Sequence, residues 1–97
     1  MRKNTRLASL ARKVEVIVRE ELDRTNISVD YVEARVYNVR SVGVQGDQRT
    51  YSYPAEITLI SNGKFFWDED FLGELSTRIT NEVRSINRVL YALSPRI

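Results

Sequence analysis

Asp30-Tyr-Val-Glu-Ala-Arg-Val-Tyr-Asn-Val39 changes the period of this sequence from that of a helix to that of a strand, and the fold class follows from the change. Val32, Ala34 and Val36 point one way, and Tyr31, Glu33, Arg35 and Tyr37 the other, as in a strand with one covered and one wet face. Upstream, from Thr5 to about Thr25, the apolar positions are Leu7, Leu10, Ala11, Val14, Ile17, Val18 and Leu22. Their spacing of three and four residues marks one face of a helix. Thr5 or Asn4 can cap its start, and Asn26 can stop it. Glu20, Glu21 and Asp23 lie near the C-terminal end, where the helix dipole disfavours acids. The apolar stripe must therefore hold this helix.

Downstream, a second strand is expected from about Thr50 to Ile60, with Tyr51, Tyr53, Ala55, Ile57 and Leu59 on one face. Pro54 lacks the N–H that a central ladder uses, so the strand should have an unpaired side there. Ser61-Asn-Gly-Lys64 reads as a turn. Asp68, Glu69 and Asp70 favour a helix N-terminus. Phe71, Leu72, Leu75, Ile79, Val83 and Ile86 follow as its buried stripe. Gly73 costs about 1 kcal/mol relative to Ala inside a helix, and a close backbone contact would explain it. Arg88 to Leu93 alternates again as a third strand. The order α-β-β-α-β predicts one α+β domain over residues 1–97, a two-layer sandwich whose small, mostly antiparallel sheet carries two helices on one face. Its other face is then an apolar patch, with Tyr31, Tyr37 and Val39, that a two-fold dimer would cover.

Composition narrows the chemistry. Of 97 residues 42% are hydrophobic and 29% charged, which is ordinary for a globular domain and argues against disorder. No apolar run approaches the roughly 18 to 20 residues of a membrane span, so the expectation is a soluble, cytoplasmic protein. There is no Cys and no His, which removes thiolate nucleophiles, imidazole bases, disulfides and the usual zinc sites. Net charge is only +2, yet Arg2, Lys3, Arg6, Arg12 and Lys13 all precede the first acid, Glu15. That run is either a solvated helix face or a phosphate-binding patch. Phe65, Phe66 and Trp67 read as packing or a dimer contact rather than a base-stacking platform.

The connection Val39 to Thr50 is longer than a hairpin needs. Gly43 and Gly46 permit positive φ or a close backbone approach, and the guanidinium fork of Arg49 suits a phosphate or a carboxylate. Asp47 and Arg49 could equally satisfy loop amides or each other, and the residues alone leave the two readings open. Gly43-Val-Gln-Gly46 also spells the G-x-x-G of a KH nucleic-acid domain, where such a loop joins two helices. Strand-like sequence flanks it here, and nucleic acid is a minor alternative.

Read whole, Arg40-Ser-Val-Gly-Val-Gln-Gly-Asp-Gln-Arg-Thr-Tyr-Ser-Tyr53 resembles the V-R-S-V-G-V-x-G-D-x-R-T/S-Y signature of the C-terminal dimerisation domain of GMP synthase. A second block, Ser76-Thr-Arg-Ile-Thr-Asn-Glu-Val83 followed by Asn87-Arg-Val-Leu-Tyr91, resembles that family's S-x-R-I-x-N-E-V and N-R-V-V-Y. The resemblance covers nearly the whole chain. It implies a homodimerising module of an enzyme that converts xanthosine monophosphate to GMP, a ligase forming a C–N bond with glutamine as amide donor. ATP and Mg would serve the ATP-pyrophosphatase domain, and a glutamine amidotransferase domain or subunit would supply ammonia. The pyrophosphatase loop S-G-G-V-D-S does not occur in this chain, so no catalytic residue and no cofactor are expected here. By position, Asp47 and Arg49 match loop residues of the xanthosine monophosphate site. Arg96 falls where the family's K-P-P-x-T-I-E-W-E tail has its substrate-binding Lys. The segment between Ser61 and Phe71 is shorter than usual. The chain is expected to be an excised domain, the first of two such domains, or a stand-alone scaffold that lost nucleotide binding.

Overall fold

The computed structural model describes residues 2–39 and 52–94, with side chains from residue 6 onward. In chain order these form α1 (Arg2–Arg24), β1 (Tyr31–Val36), β2 (Tyr53–Ser61), β3 (Lys64–Phe65), α2 (Glu69–Glu82) and β4 (Ile86–Tyr91). The α+β sandwich is present, with four strands where three were expected.

Strand β2 is the spine of the sheet. On one edge β1 pairs with it antiparallel, from Tyr31 opposite Ile60 to Val36 opposite Ala55. On the other edge β4 runs parallel, from Tyr53 opposite Ile86 to Ile57 opposite Tyr91. Beyond β4 on that edge, β3 pairs antiparallel through Ile60 with Phe65 and Ser61 with Lys64. A parallel neighbour requires a long crossover, and α2 supplies it. The additional strand arises at the Asn62-Gly63 turn. Both residues have positive φ, 56° and 77°, the geometry of a tight two-residue hairpin. The returning strand holds only two residues, too few to show alternation in a sequence.

Both helices cover the face of the sheet that carries Ala55, Ile57 and Leu59. From α1 come Leu10, Val14, Ile17, Val18 and Leu22, and from α2 Phe71, Leu75 and Ile79; all are buried. Burying one such side chain contributes about 1.5–3 kcal/mol. Val32, Ala34 and Val36 of β1 pack against this core from the edge. Helix α1 ends as expected at Asn26, which takes φ 61° while the Ile27 amide donates back to the Leu22 carbonyl at 3.0 Å. Helix α2 starts at Asp68, whose carboxylate accepts from the Phe71 amide at 3.0 Å.

Three expectations shift. Ile86 opens β4 rather than closing the stripe of α2, because Val83 leaves the helix with φ −108° and ψ 96°. Pro54 pairs with Arg88 although the preceding Tyr53 pairs with Ile86, so Asn87 is an extra residue in the ladder. A proline without a donor is accommodated at such a bulge. The bulge also reverses the alternation, so that Ile86, Val89 and Tyr91 all meet the core. Gly73 faces open space, with nothing within 4 Å of the position a Cβ would take. No close contact in the described chain accounts for it.

Candidate functional site

Asp47 and Arg49 fall in residues 40–51, and Arg96 in residues 95–97; all three lie outside the described residues. The places where the chain departs for them are described. The Tyr37 amide donates to the Pro54 carbonyl at 3.2 Å, and the Tyr53 amide donates to the Ser85 carbonyl at 2.8 Å. The 40–51 connection therefore leaves from the end of the sheet where β2 and β4 begin. Arg96 follows the other end of β4, where the Ala92 amide donates to the Ile57 carbonyl at 3.0 Å. The two departures are rooted at opposite ends of the β2–β4 ladder, from Tyr53 to Ile57, about 13 Å at roughly 3.3 Å per residue. Residues 43–46 connect β1 to β2, so the helix–loop–helix setting of a KH-type G-x-x-G is not met.

At the loop end the described groups are polar and of both charges. The Arg6 guanidinium donates to the Ser85 hydroxyl at 3.3 Å, and the neighbouring Arg84 is exposed. Ser52, just before β2, is buried. Tyr37 donates to the Glu56 carboxylate at 2.6 Å; this bond, with burial second, raises the phenol above its ordinary pKa. The Arg35 guanidinium pairs with Glu33 at 2.8 Å.

The sheet face away from the helices presents Tyr31, Tyr37, Phe65 and Leu90 around the centre of β2. These four are 36–44% exposed, whereas Thr58 and Ile60 between them are buried. Of the residues expected there, Tyr31 and Tyr37 lie on this face and Val39 is exposed just beyond β1; Phe65 and Leu90 join them, with the Glu33–Arg35 pair and Glu56 among them. Its edge carries Trp67, 58% exposed, whose ring centroid is 5.8 Å from that of Tyr91. Phe65 meets both rings, at 6.5 and 6.4 Å.

Tyr91 was legible as a strand residue but not as a strap. Its hydroxyl donates to the Leu59 carbonyl at 3.2 Å and to the Phe66 carbonyl, which ties the short β3 hairpin to β4. Burial pushes the phenol up to about 12, with the two backbone bonds opposing. A folded value above the ordinary 10.0 makes the neutral phenol stabilising below that pH. The contribution is lost as pH rises through the folded value. Tyr91→Phe is expected to cost about 1–2 kcal/mol at neutral pH. Its deficit against the wild type should shrink between melts taken at about pH 9 and at about pH 12. A deficit unchanged with pH would contradict this assignment.

Arg78 is the most connected side chain described. It donates to Glu20 at 2.6 Å, to Glu21 at 2.9 Å and to Glu82 at 2.8 Å. Arg24 joins the cluster through Glu21 at 2.7 Å. The bonds to Glu82, Glu20 and Glu21 hold the Arg78 guanidinium above its ordinary pKa. Arg78 thus reaches across to α1 and answers the acids that the α1 dipole disfavours. A shallow depression of about 440 Å³ lies alongside, lined by α2 residues from Gly73 to Glu82. With its one guanidinium committed to three carboxylates, this depression is structural rather than ligand-seeking.

Among the described residues no cluster of His, Cys, Asp and Glu could hold a metal ion, and no helix is long and apolar enough to cross a membrane. The family described as GMP synthase C terminal domain matches residues 15–96. Curated relatives include the glutamine-hydrolysing GMP synthase of Nostoc punctiforme, 35% identical over 96 residues. That of Borrelia garinii subsp. bavariensis is 41% identical over 96 residues, and that of Clostridium botulinum 36% over 90 residues. The alignments cover 91%, 91% and 84% of this chain, and 18% of each relative.

Proposed function

Because the chain belongs to the GMP synthase C-terminal domain family, we propose that it serves as the dimerisation and substrate-contact domain of a GMP synthase. The observation that carries this reading is the family match over residues 15–96, in which both signature blocks of the sequence lie. The catalytic steps, with ATP, Mg and the ammonia drawn from glutamine, are assigned to the parts of the relatives that this chain does not span. Within this chain, Asp47 and Arg49 contact xanthosine monophosphate. An Arg fork offers two parallel donors to a phosphate or a base carbonyl, and Asp47 orients it or accepts from the ligand. Arg96 adds a second cation. The homodimer is formed through the face of Tyr31, Tyr37, Phe65 and Leu90. This face supports the reading because it joins exposed apolar side chains to a buried centre, as an interface core does.

Two measurements test it. Sedimentation at micromolar concentration should give a dimer, and a monomer would remove the dimerisation half. Arg49→Ala should weaken xanthosine monophosphate binding about 10- to 100-fold, the loss expected for charge-assisted hydrogen bonds. Unchanged affinity would remove the assigned role of Arg49.

A further inference from the structure

Asn62 and Gly63 form the tip of the β2–β3 hairpin, both with positive φ. Asparagine is a thermolabile side chain. Its amide carbon is open to attack by the backbone nitrogen that follows it, provided that nitrogen can reach. Two things hinder the approach: the side chain of the following residue, and whatever group holds its N–H. Gly63 has no side chain, and nothing lies within 4 Å of the position a Cβ would take. Among the described residues no carbonyl accepts from its amide. Asn62 is exposed, and the turn is held through the backbone. The Asn62 N–H donates to the Asp30 carboxylate at 2.8 Å, and Ser61 pairs with Lys64.

Other exposed asparagines show what is different at this turn. Asn26 has nearly the same backbone conformation, with φ 61° against 56°. It is followed by β-branched Ile27, whose amide donates to the Leu22 carbonyl at 3.0 Å. Asn38 is followed by β-branched Val39, whose amide donates to the Tyr37 carbonyl at 2.8 Å. Asn81 lies inside α2 with Glu82 after it, where the helix fixes the backbone. Exposure is common to all four, and positive φ to two of them. Of these four, Asn62 alone is followed by an unhindered nitrogen with no carbonyl partner among the described residues.

We propose that Asn62 is a site of spontaneous deamidation in the folded protein, with water as the co-reactant. The Gly63 nitrogen gives up its proton and bonds to Asn62 Cγ; the Cγ–Nδ2 bond breaks, and ammonia leaves with that proton. The result is a five-membered succinimide. Water opens it at Cγ to give aspartate, or at the main-chain carbonyl carbon to give an isoaspartyl link in which the chain runs through Cγ. Either product puts a new carboxylate on the residue whose amide Asp30 holds, and like charges so placed repel. The isoaspartyl form also adds a methylene to the backbone of a two-residue turn, so Ser61 no longer faces Lys64. Strand β3 has only two residues, and the Phe66 carbonyl beyond it is tied to β4 by the Tyr91 hydroxyl. Conversion of Asn62 therefore loosens the hairpin from the sheet and frees Tyr91 from this bond.

The test holds the 97-residue chain at neutral pH and body temperature for several weeks, with samples digested and weighed by mass spectrometry. A parallel sample in urea gives the behaviour of the unfolded chain. The peptide containing Asn62 should gain the mass of an amide-to-acid exchange and separate into aspartyl and isoaspartyl forms. Peptides containing Asn26, Asn38 and Asn81 should stay unchanged. Trp67 is the single tryptophan, and its ring centroid is 5.8 Å from that of Tyr91, so its fluorescence should shift in step with the conversion. Asn62→Gly keeps the turn geometry without an amide to react, and its fluorescence should stay constant. Conversion of Asn62 in urea with none in buffer would mean that the folded turn forbids the attack, and the proposal would be overturned. Conversion of Asn26 or Asn38 as fast as that of Asn62 would overturn the reason given for the site. Complete conversion with no change at Trp67 would overturn the loosening of the hairpin.

Discussion

Ile57→Ala should lower the stability of this domain by about 3 kcal/mol, within the range measured for large-to-alanine changes in packed cores. Ile57 is 1% exposed, its backbone pairs with Ala34 on one side and Tyr91 on the other, and its side chain lies under both helices. No neighbour can collapse into the space without disturbing a second strand. For a chain of this size, total stability is on the order of 5–15 kcal/mol. The thermal midpoint should therefore fall by roughly 12–24 °C. Ile57→Val keeps most of the volume and should cost only about 1 kcal/mol. Paired urea and thermal melts check both values, and equal losses for the two variants would show that the cavity argument is wrong at this site.

Arg78→Met should produce the second large effect, because it removes three contacts from α1 and α2 at once. Glu21 is buried, and without Arg78 it retains only Arg24, whose side chain is 60% exposed. A carboxylate left underpaired out of water is costly, and a drop of about 5 °C in the melting midpoint is expected. The effect depends on pH in a defined direction. The Arg24 bond first, then Arg78, hold Glu21 below its ordinary 4.5, while burial works against them. As pH falls, the unfolded chain protonates before the folded one. The stabilisation is complete above about 4.5 and is lost as pH falls through the lowered folded value. The gap between wild type and variant should be widest at neutral pH and close in acid. A gap independent of pH would show that Arg78 acts through its aliphatic stem alone.

The main elements were legible because their periods are clean. The stripe of α1, the alternation of β1 and the Asp68 cap each appear in the sequence as they do in the fold. Ends and exceptions were less legible, for local reasons. Lys64–Phe65 is too short for alternation, and the extra residue Asn87 shifts the phase of β4, so its first two residues escaped a reading that began at Arg88. Arg78 could be placed on α2 by spacing, but its partners depend on how α1 crosses that helix, which spacing does not encode. The dipole argument did identify Glu20 and Glu21 as acids in need of an answer. Of the candidate site, the motif named Asp47, Arg49 and Arg96. What a linear motif could not convey is that the segments bearing them depart from opposite ends of one ladder.

Strand β2 has a consequence for how this domain can change over generations. Its backbone is shared by β1, β3 and β4, and its side chains by both helices, so a substitution there must suit several neighbours simultaneously. Thr77 and Asn81, on the exposed side of α2, answer to almost none. Divergence compatible with the fold should therefore accumulate on the outer helix surface, and change along β2 should come as compensated sets rather than as single steps.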